Sequence, residues 1–376
     1  MIRFAIIASS LCFLVGCASE PPRNPPNPIP LLDTNEPLAG QWSKDIGSSG
    51  AGQFEPLLLS DSVVFANRKG VVTKLALDSG ERQWRVDLGV TLGAGVGGDS
   101  SQYYVSDKDG AVIALSADSG EEVWRKNAST EVLRPASVAY DTVLVRSADG
   151  RLLALEPADG DERWSATYTP PALTINGYSK PLLLEGGVLA GLDDGRLIAL
   201  ALNNGRPIWE SVLSVPSGRS EVERLVDVDA DIQVDNEAIY VVTYGGKLAR
   251  VEPGKGQIVW STDMSSTAGL TVLDQVIVVV DEFDVLHAVD KSNGSVLWTQ
   301  DALKGRRLTP PTAIGDQIVV GDLEGYVHLV NPVSGDFSGR MLVGDKPIRS
   351  APKANGTSVV VQSTDGTVRL FNRTAP

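Results

Sequence analysis

The chain has 376 residues, 42% hydrophobic and 21% charged, and its 33 basic against 47 acidic side chains leave a net charge of -14. A chain of this length and apolar content can bury a large core, which excludes disorder and small disulfide scaffolds, and its acidity argues against an unspecific grip on nucleic acid or anionic lipid. Both cysteines, Cys12 and Cys17, lie in the first 17 residues, so the body has no disulfide, no thiolate metal site and no cysteine nucleophile.

The N-terminus reads as a targeting segment. Arg3 precedes an apolar run from Phe4 to Val15, well short of the roughly 20 residues of a membrane-spanning helix, so residues 1–16 are expected to be a signal peptide outside the fold. The sequence Leu14-Val15-Gly16-Cys17 resembles the bacterial lipobox, which implies acylation of Cys17 as the mature N-terminus. Ala18 in place of Asp then implies sorting to the outer membrane, and several acyl chains make a stable anchor. Residues 18–37 hold seven prolines in 20 positions. Together with Cys17 this run is expected to be an extended tether, reaching up to about 60 Å at about 3.1 Å per residue.

From residue 60 a single pattern recurs: a β-branched run, a Gly turn, a second apolar run, an Asx/Ser-Gly turn and a stretch ending in Trp. Six copies end at Trp84, Trp124, Trp164, Trp209, Trp260 and Trp298, and each Trp lies four residues after a turn glycine (Gly80, Gly120, Gly160, Gly205, Gly256, Gly294). A seventh copy has Gly339 where the Trp should be, and an eighth, from Thr364, reaches the C-terminus before a final strand can form. Trp42 stands 42 residues before Trp84, matching the repeat length. The strand around Trp42 is therefore expected to complete the last repeat. Units of about 40 residues with four strands each, tight hairpin turns and apolar strands predict an all-β fold, an eight-bladed β-propeller over residues 38–376. The closure arithmetic disfavours an open β-solenoid.

The blade motif resembles that of quinoprotein dehydrogenases, whereas lipobox, Pro-rich leader and eight blades together resemble, over the whole chain, the BamB family of the outer-membrane β-barrel assembly (BAM) machinery. That resemblance implies a non-enzymatic scaffold without cofactor or metal. It further implies a propeller facing the periplasm, binding to the POTRA domains of BamA, assistance to folding and insertion of outer-membrane proteins, and potential contact with unfolded precursors.

Spacing points to the same place. Trp intervals of 40, 40, 45, 51 and 38 put the excess length between Trp164 and Trp260, and loops extended beyond a repeat carry function. On these loops the resemblance places the BamA-binding residues: Leu173, Ile175 and Asn176 on one, Arg224, Asp227 and Asp229 on the other. Asn176 departs from the family arginine. Leu173 and Ile175 could fill an apolar pocket of a partner, and Asp227 and Asp229 could accept from its Arg or Lys; read without the resemblance, these are a strand face and a solvated acidic loop.

Other signals are weaker. Asp227-Val-Asp-Ala-Asp231 opens like a calcium loop, but Ile232 replaces the Gly and Ala238 the closing Glu. Gly93–Gly98 satisfies GxGxxG without a following helix, and is expected to be a flexible connection between blades. His287 and His328 each sit inside an apolar strand and read as satisfied core histidines, and no Gly-x-Ser-x-Gly elbow accompanies them. The alternatives are a quinone-dependent dehydrogenase-like propeller, against which the missing second body cysteine argues, and a propeller lipoprotein of another envelope complex.

Overall fold

The computed structural model describes residues 25–32, 38–50, 52, 54–175, 179–216, 219–220 and 223–373; Cys17 and Asn176 lie outside the described residues. Its 32 described strands form eight antiparallel four-stranded sheets. Each sheet is a blade with strands a to d from the axis outward, in chain order in blades 1 to 7. Blade 4, for instance, runs through Leu182–Leu184, Gly187–Gly191, Arg196–Ala201 and Pro207–Val212. The a strands of most neighbouring blades touch around the axis, including those of blades 8 and 1, and a core cluster fills every gap between blades, so the ring is closed.

The burial pattern explains why both faces of the middle strands are apolar. Strand b of blade 1, Ser62–Ala66, is buried at every position, whereas strand d, Arg82–Asp87, is half-buried at alternate positions and exposed between them. Inner strands are covered on both faces by neighbouring blades and outer strands border water. The core is accordingly eight separate clusters, one in each gap between blades. The gap between blades 1 and 2 holds Val64, Val72, Tyr103, Ile113 and Leu115, and that between blades 8 and 1 holds Val63, Phe65, Val360 and Leu370.

The chain's two ends share blade 8. Leu38–Asp45 pairs antiparallel with Thr367–Arg373 as its strand d, with Trp42 opposite Leu370, as the Trp42 spacing predicts. This topology puts the a–b and c–d turns on one face of the disc. The b–c turns and the long d–a connections lie on the other, here called the connection face.

The tryptophan–glycine spacing has a cause that lies between repeats. All seven indole Nε1–H groups donate to a carbonyl in the c–d turn of the next blade, from Trp42 to Leu77 (2.8 Å) and Trp84 to Ala117 (3.0 Å) through Trp298 to Pro332 (2.9 Å). Each indole lies on the turn glycine of that next blade. A Cβ there would come within 2.8 Å of the ring, and these glycines also have positive φ. Blade 7 has Gly339 opposite Leu329, where other blades carry Trp. That position faces blade 8, whose strands c and d come from the two ends of the chain and not from one hairpin with a turn glycine.

The Gly93–Gly98 run differs from the flexible connection expected of it. A Cβ on Gly95 would meet the Glu55 backbone within 2.5 Å, and one on Gly97 would strike the Ala136 backbone. These glycines allow strand a of blade 2, Gly97–Gly98, to crowd against its neighbours at the narrow centre of the ring.

Candidate functional site

The two long d–a connections, residues 168–181 between blades 3 and 4 and 213–232 between blades 4 and 5, lie side by side on the connection face. Leu173 on the first is half exposed, at 50%, and Ile175 is half-buried on the wall of a cavity of about 730 Å³ at the channel mouth, with Asp229 on the same wall. Arg224 is exposed on the second. The structure therefore brings Ile175 and Asp229 together, while Leu173 and Arg224 face water.

Asp227 and Asp229 are not on a solvated loop. They are 2% and 5% exposed. The segment is extended: Asp227 exchanges backbone hydrogen bonds with Tyr244 in the b–c turn of blade 5, and the Val228 N–H donates to the Leu192 carbonyl in blade 4. Extended backbone alternates side chains. Val228 and Ile232 enter the core between blades 4 and 5 and Ala230 the next one, which leaves the aspartates on the other side.

Burial raises Asp227 to a pKa of about 8, with the carboxylates of Asp229 and Asp193 adding to the effect. Arg146 acts in the opposite direction, but it is already engaged by Asp193 (2.5 Å) and by the Gly191 carbonyl (2.7 Å). Asp227 is thus mostly neutral at pH 7. Asp231, four residues on, binds Arg134 (2.7 Å) and the Lys180 N–H (3.0 Å).

Arg134 belongs to a charged network absent from the sequence reading. Buried Glu55 ahead of blade 1 bridges Arg134 ahead of blade 3 (2.9 Å) and Lys353 of blade 8 (2.6 Å), so the ion pairs span the channel mouth from blade 8 to blade 5. Burial pushes the Glu55 carboxyl up, but Arg134, Lys353 and Lys180 outweigh it and hold the group far below the usual carboxylate range. One signal could have found it: Glu55-Pro56, Arg134-Pro135 and Lys180-Pro181 are charged residues before a proline at equivalent places in three repeats.

The histidines are structural. His287 contacts Asp281 (2.9 Å) and Thr299 (3.2 Å); His328 contacts Asp322 (2.9 Å), and burial holds its pKa down. Among the described residues, no three His, Cys, Asp or Glu side chains are placed to hold a metal ion, including the Asp227–Asp231 run.

A family model described as outer membrane protein assembly factor BamB matches residues 68–300 and 245–338. The chain belongs to the BamB family. It is similar to the BamB of Alkalilimnicola ehrlichii, with 45% identity over 97% of this chain and 95% of that one, and to the BamB of Pseudomonas aeruginosa, with 43% identity over 96% of each. The crystal structure of BamB from Moraxella catarrhalis superposes with a TM-score of 0.83 at 28% identity, covering 89% of this chain and 99% of that one. A quinohemoprotein alcohol dehydrogenase from Comamonas testosteroni aligns with a TM-score of 0.73 at 12% identity over 91% of this chain and 77% of its own, a likeness of fold alone.

Proposed function

We propose that this chain is an outer membrane protein assembly factor of the BAM complex, a non-enzymatic scaffold that docks on the POTRA domains of BamA through the blade 3–4 and 4–5 connections. Membership of the BamB family along nearly the whole chain carries the reading. Residues 1–16 serve as the removable signal peptide, and acylated Cys17 anchors the propeller to the outer membrane from the periplasmic side.

Within the site the residues divide by exposure. Leu173 makes direct apolar contact, Ile175 forms the pocket rim and exposed Arg224 offers a charge from the second connection; Asn176, outside the described residues, is kept as a contact on the resemblance alone. Asp227 and Asp229 act from beneath, holding the second loop against the channel mouth, because their burial removes them from a partner's reach.

The test is a calorimetric titration of the mature chain with the POTRA domains of its own organism's BamA. Leu173→Ala should weaken binding by about 1–3 kcal/mol with an unchanged melting temperature. Saturable binding that ignores Leu173→Ala would move the site elsewhere. No binding, in solution or on vesicles, would sink the reading.

A further inference from the structure

The Pro-rich leader is held by specific groups on blades 6 and 7. The Asn27 N–H donates to the Lys304 carbonyl (2.9 Å), its Nδ2 to the Asp301 carbonyl (3.0 Å), and its carbonyl accepts from Arg306 (2.9 Å). Further along, the Pro30 carbonyl accepts from Arg340 on strand d of blade 7 (2.5 Å), and Pro26 packs on Gly305. Arg306 is a built receptor. It is 1% exposed and fixed by buried Asp322 (2.9 Å) and by Glu324 (2.5 Å), and Asp322 is also held by His328. An extended proline-rich strand leaves its carbonyls unpaired, and two guanidinium groups are suited to take them.

The route matters more than the contacts. Strand d of blade 8 begins at Leu38, opposite Arg373, whose N–H donates to Thr357 in an a–b turn; that end lies on the face away from the d–a connections. A free leader would depart from that face. Instead the described segment 25–32 lies along the rim of blade 7, from Arg340 at Pro30 to Gly305 in the d–a connection at Pro26. It therefore leaves the propeller on the connection face, where Leu173 and Ile175 lie.

We propose that the Arg306/Arg340 site on blade 7 is a docking site for the chain's own Pro-rich leader, and that this clip turns the connection face, with its partner loops, toward the lipid anchor. With the docked segment beginning at Pro25, the eight steps back to Cys17 limit the anchor's distance from it to at most about 25 Å at about 3.1 Å per residue. The orientation rests on acylation of Cys17; the docking does not.

The body's lack of cysteine makes the test clean. In the mature chain carrying Cys17→Ser, Pro26→Cys with Gly305→Cys should form a disulfide on mild oxidation, and Pro26→Cys with Glu185→Cys, on an a–b turn of blade 4, should not. Adding Asn27→Pro, which removes both leader donors without touching the propeller, should slow cross-linking about tenfold for two lost hydrogen bonds. A spin label at Ile29→Cys, half-buried in the docked segment, should be immobilised in the parent and mobile in the Asn27→Pro and Arg306→Gln variants. Equal cross-linking in both cysteine pairs, or a freely mobile label in the parent, would overturn the docking.

With the lipidated chain on phospholipid vesicles, energy transfer to a lipid-borne acceptor should be stronger from a dye at Leu173→Cys than at Glu185→Cys, and Asn27→Pro should abolish the difference. No difference in the parent would overturn the orientation. None of these measurements involves BamA, so a failure of partner binding would leave their result standing.

Discussion

At the residue scale, Asp227 shows how one carboxyl stores pH dependence. Its unfolded pKa is near 4 and its folded pKa about 8, because burial and the charges of Asp229 and Asp193 favour the neutral acid. Between these values the folded chain keeps a proton that the unfolded chain has lost. This contribution to stability is complete below about pH 4 and is lost as pH rises toward 8. Asp227→Asn keeps a neutral side chain of the same shape at every pH, so its melting temperature should gain on the parent's by a few degrees between pH 5 and pH 8. A constant difference across that range would show that Asp227 is already ionised in the fold. The sequence displayed the acidic run but not its burial. Val228, Ala230 and Ile232 alternate with the aspartates, a period of two that marks a strand-like segment; which side meets the channel depends on Glu55, Arg134 and Lys180 from other blades.

At the scale of the element, the repeat was legible in full, down to the strand that Trp42 supplies, because each blade spells out the same turns and the same tryptophan. The purpose of the four-residue spacing was not, since the glycine and the indole that need each other belong to different blades. Two glycines separate conformation from packing. Gly120 and Gly186 have nearly the same φ, +74° and +75°, but a Cβ on Gly120 would strike the Trp84 ring at 2.7 Å while one on Gly186 meets nothing. Gly186→Ala should cost about 1–2 kcal/mol from backbone strain alone. Gly120→Ala should cost about 1–3 kcal/mol more, readable as a lower urea midpoint at unchanged slope. Equal losses would mean that the indole shifts aside freely. Trp42→Ala tests the same staple at the ring closure, and a loss of about 3–5 kcal/mol is expected for an aromatic removed from an inter-blade gap.

At the scale of the whole molecule, blades that bury their cores pairwise are also tied across the axis by charge, and two buried acids pull the pH profile in opposite directions. Glu55 is held far below its ordinary pKa by Arg134 and Lys353, so its contribution is present above about pH 4 and is lost as pH falls below that value. Asp227 contributes in the opposite sense, so between them these two groups favour a stability maximum near pH 4. Glu55→Gln should flatten the acid limb and Asp227→Asn the alkaline one. The two sites are connected as well: Arg134 serves Glu55 and Asp231 directly and feels the charge of Asp229, which in turn raises Asp227. Removing the Glu55 charge leaves Arg134 more positive toward the second loop, which favours ionised Asp227 and lowers its pKa. The double variant, followed by thermal melts from pH 3 to pH 8, should therefore depart from the sum of the single effects by more than the roughly 0.3–0.5 kcal/mol expected of independent sites. Additive behaviour would show that the channel-mouth network and the loop between blades 4 and 5 respond to pH separately, and that charge at the axis does not reach the surface proposed to meet the partner.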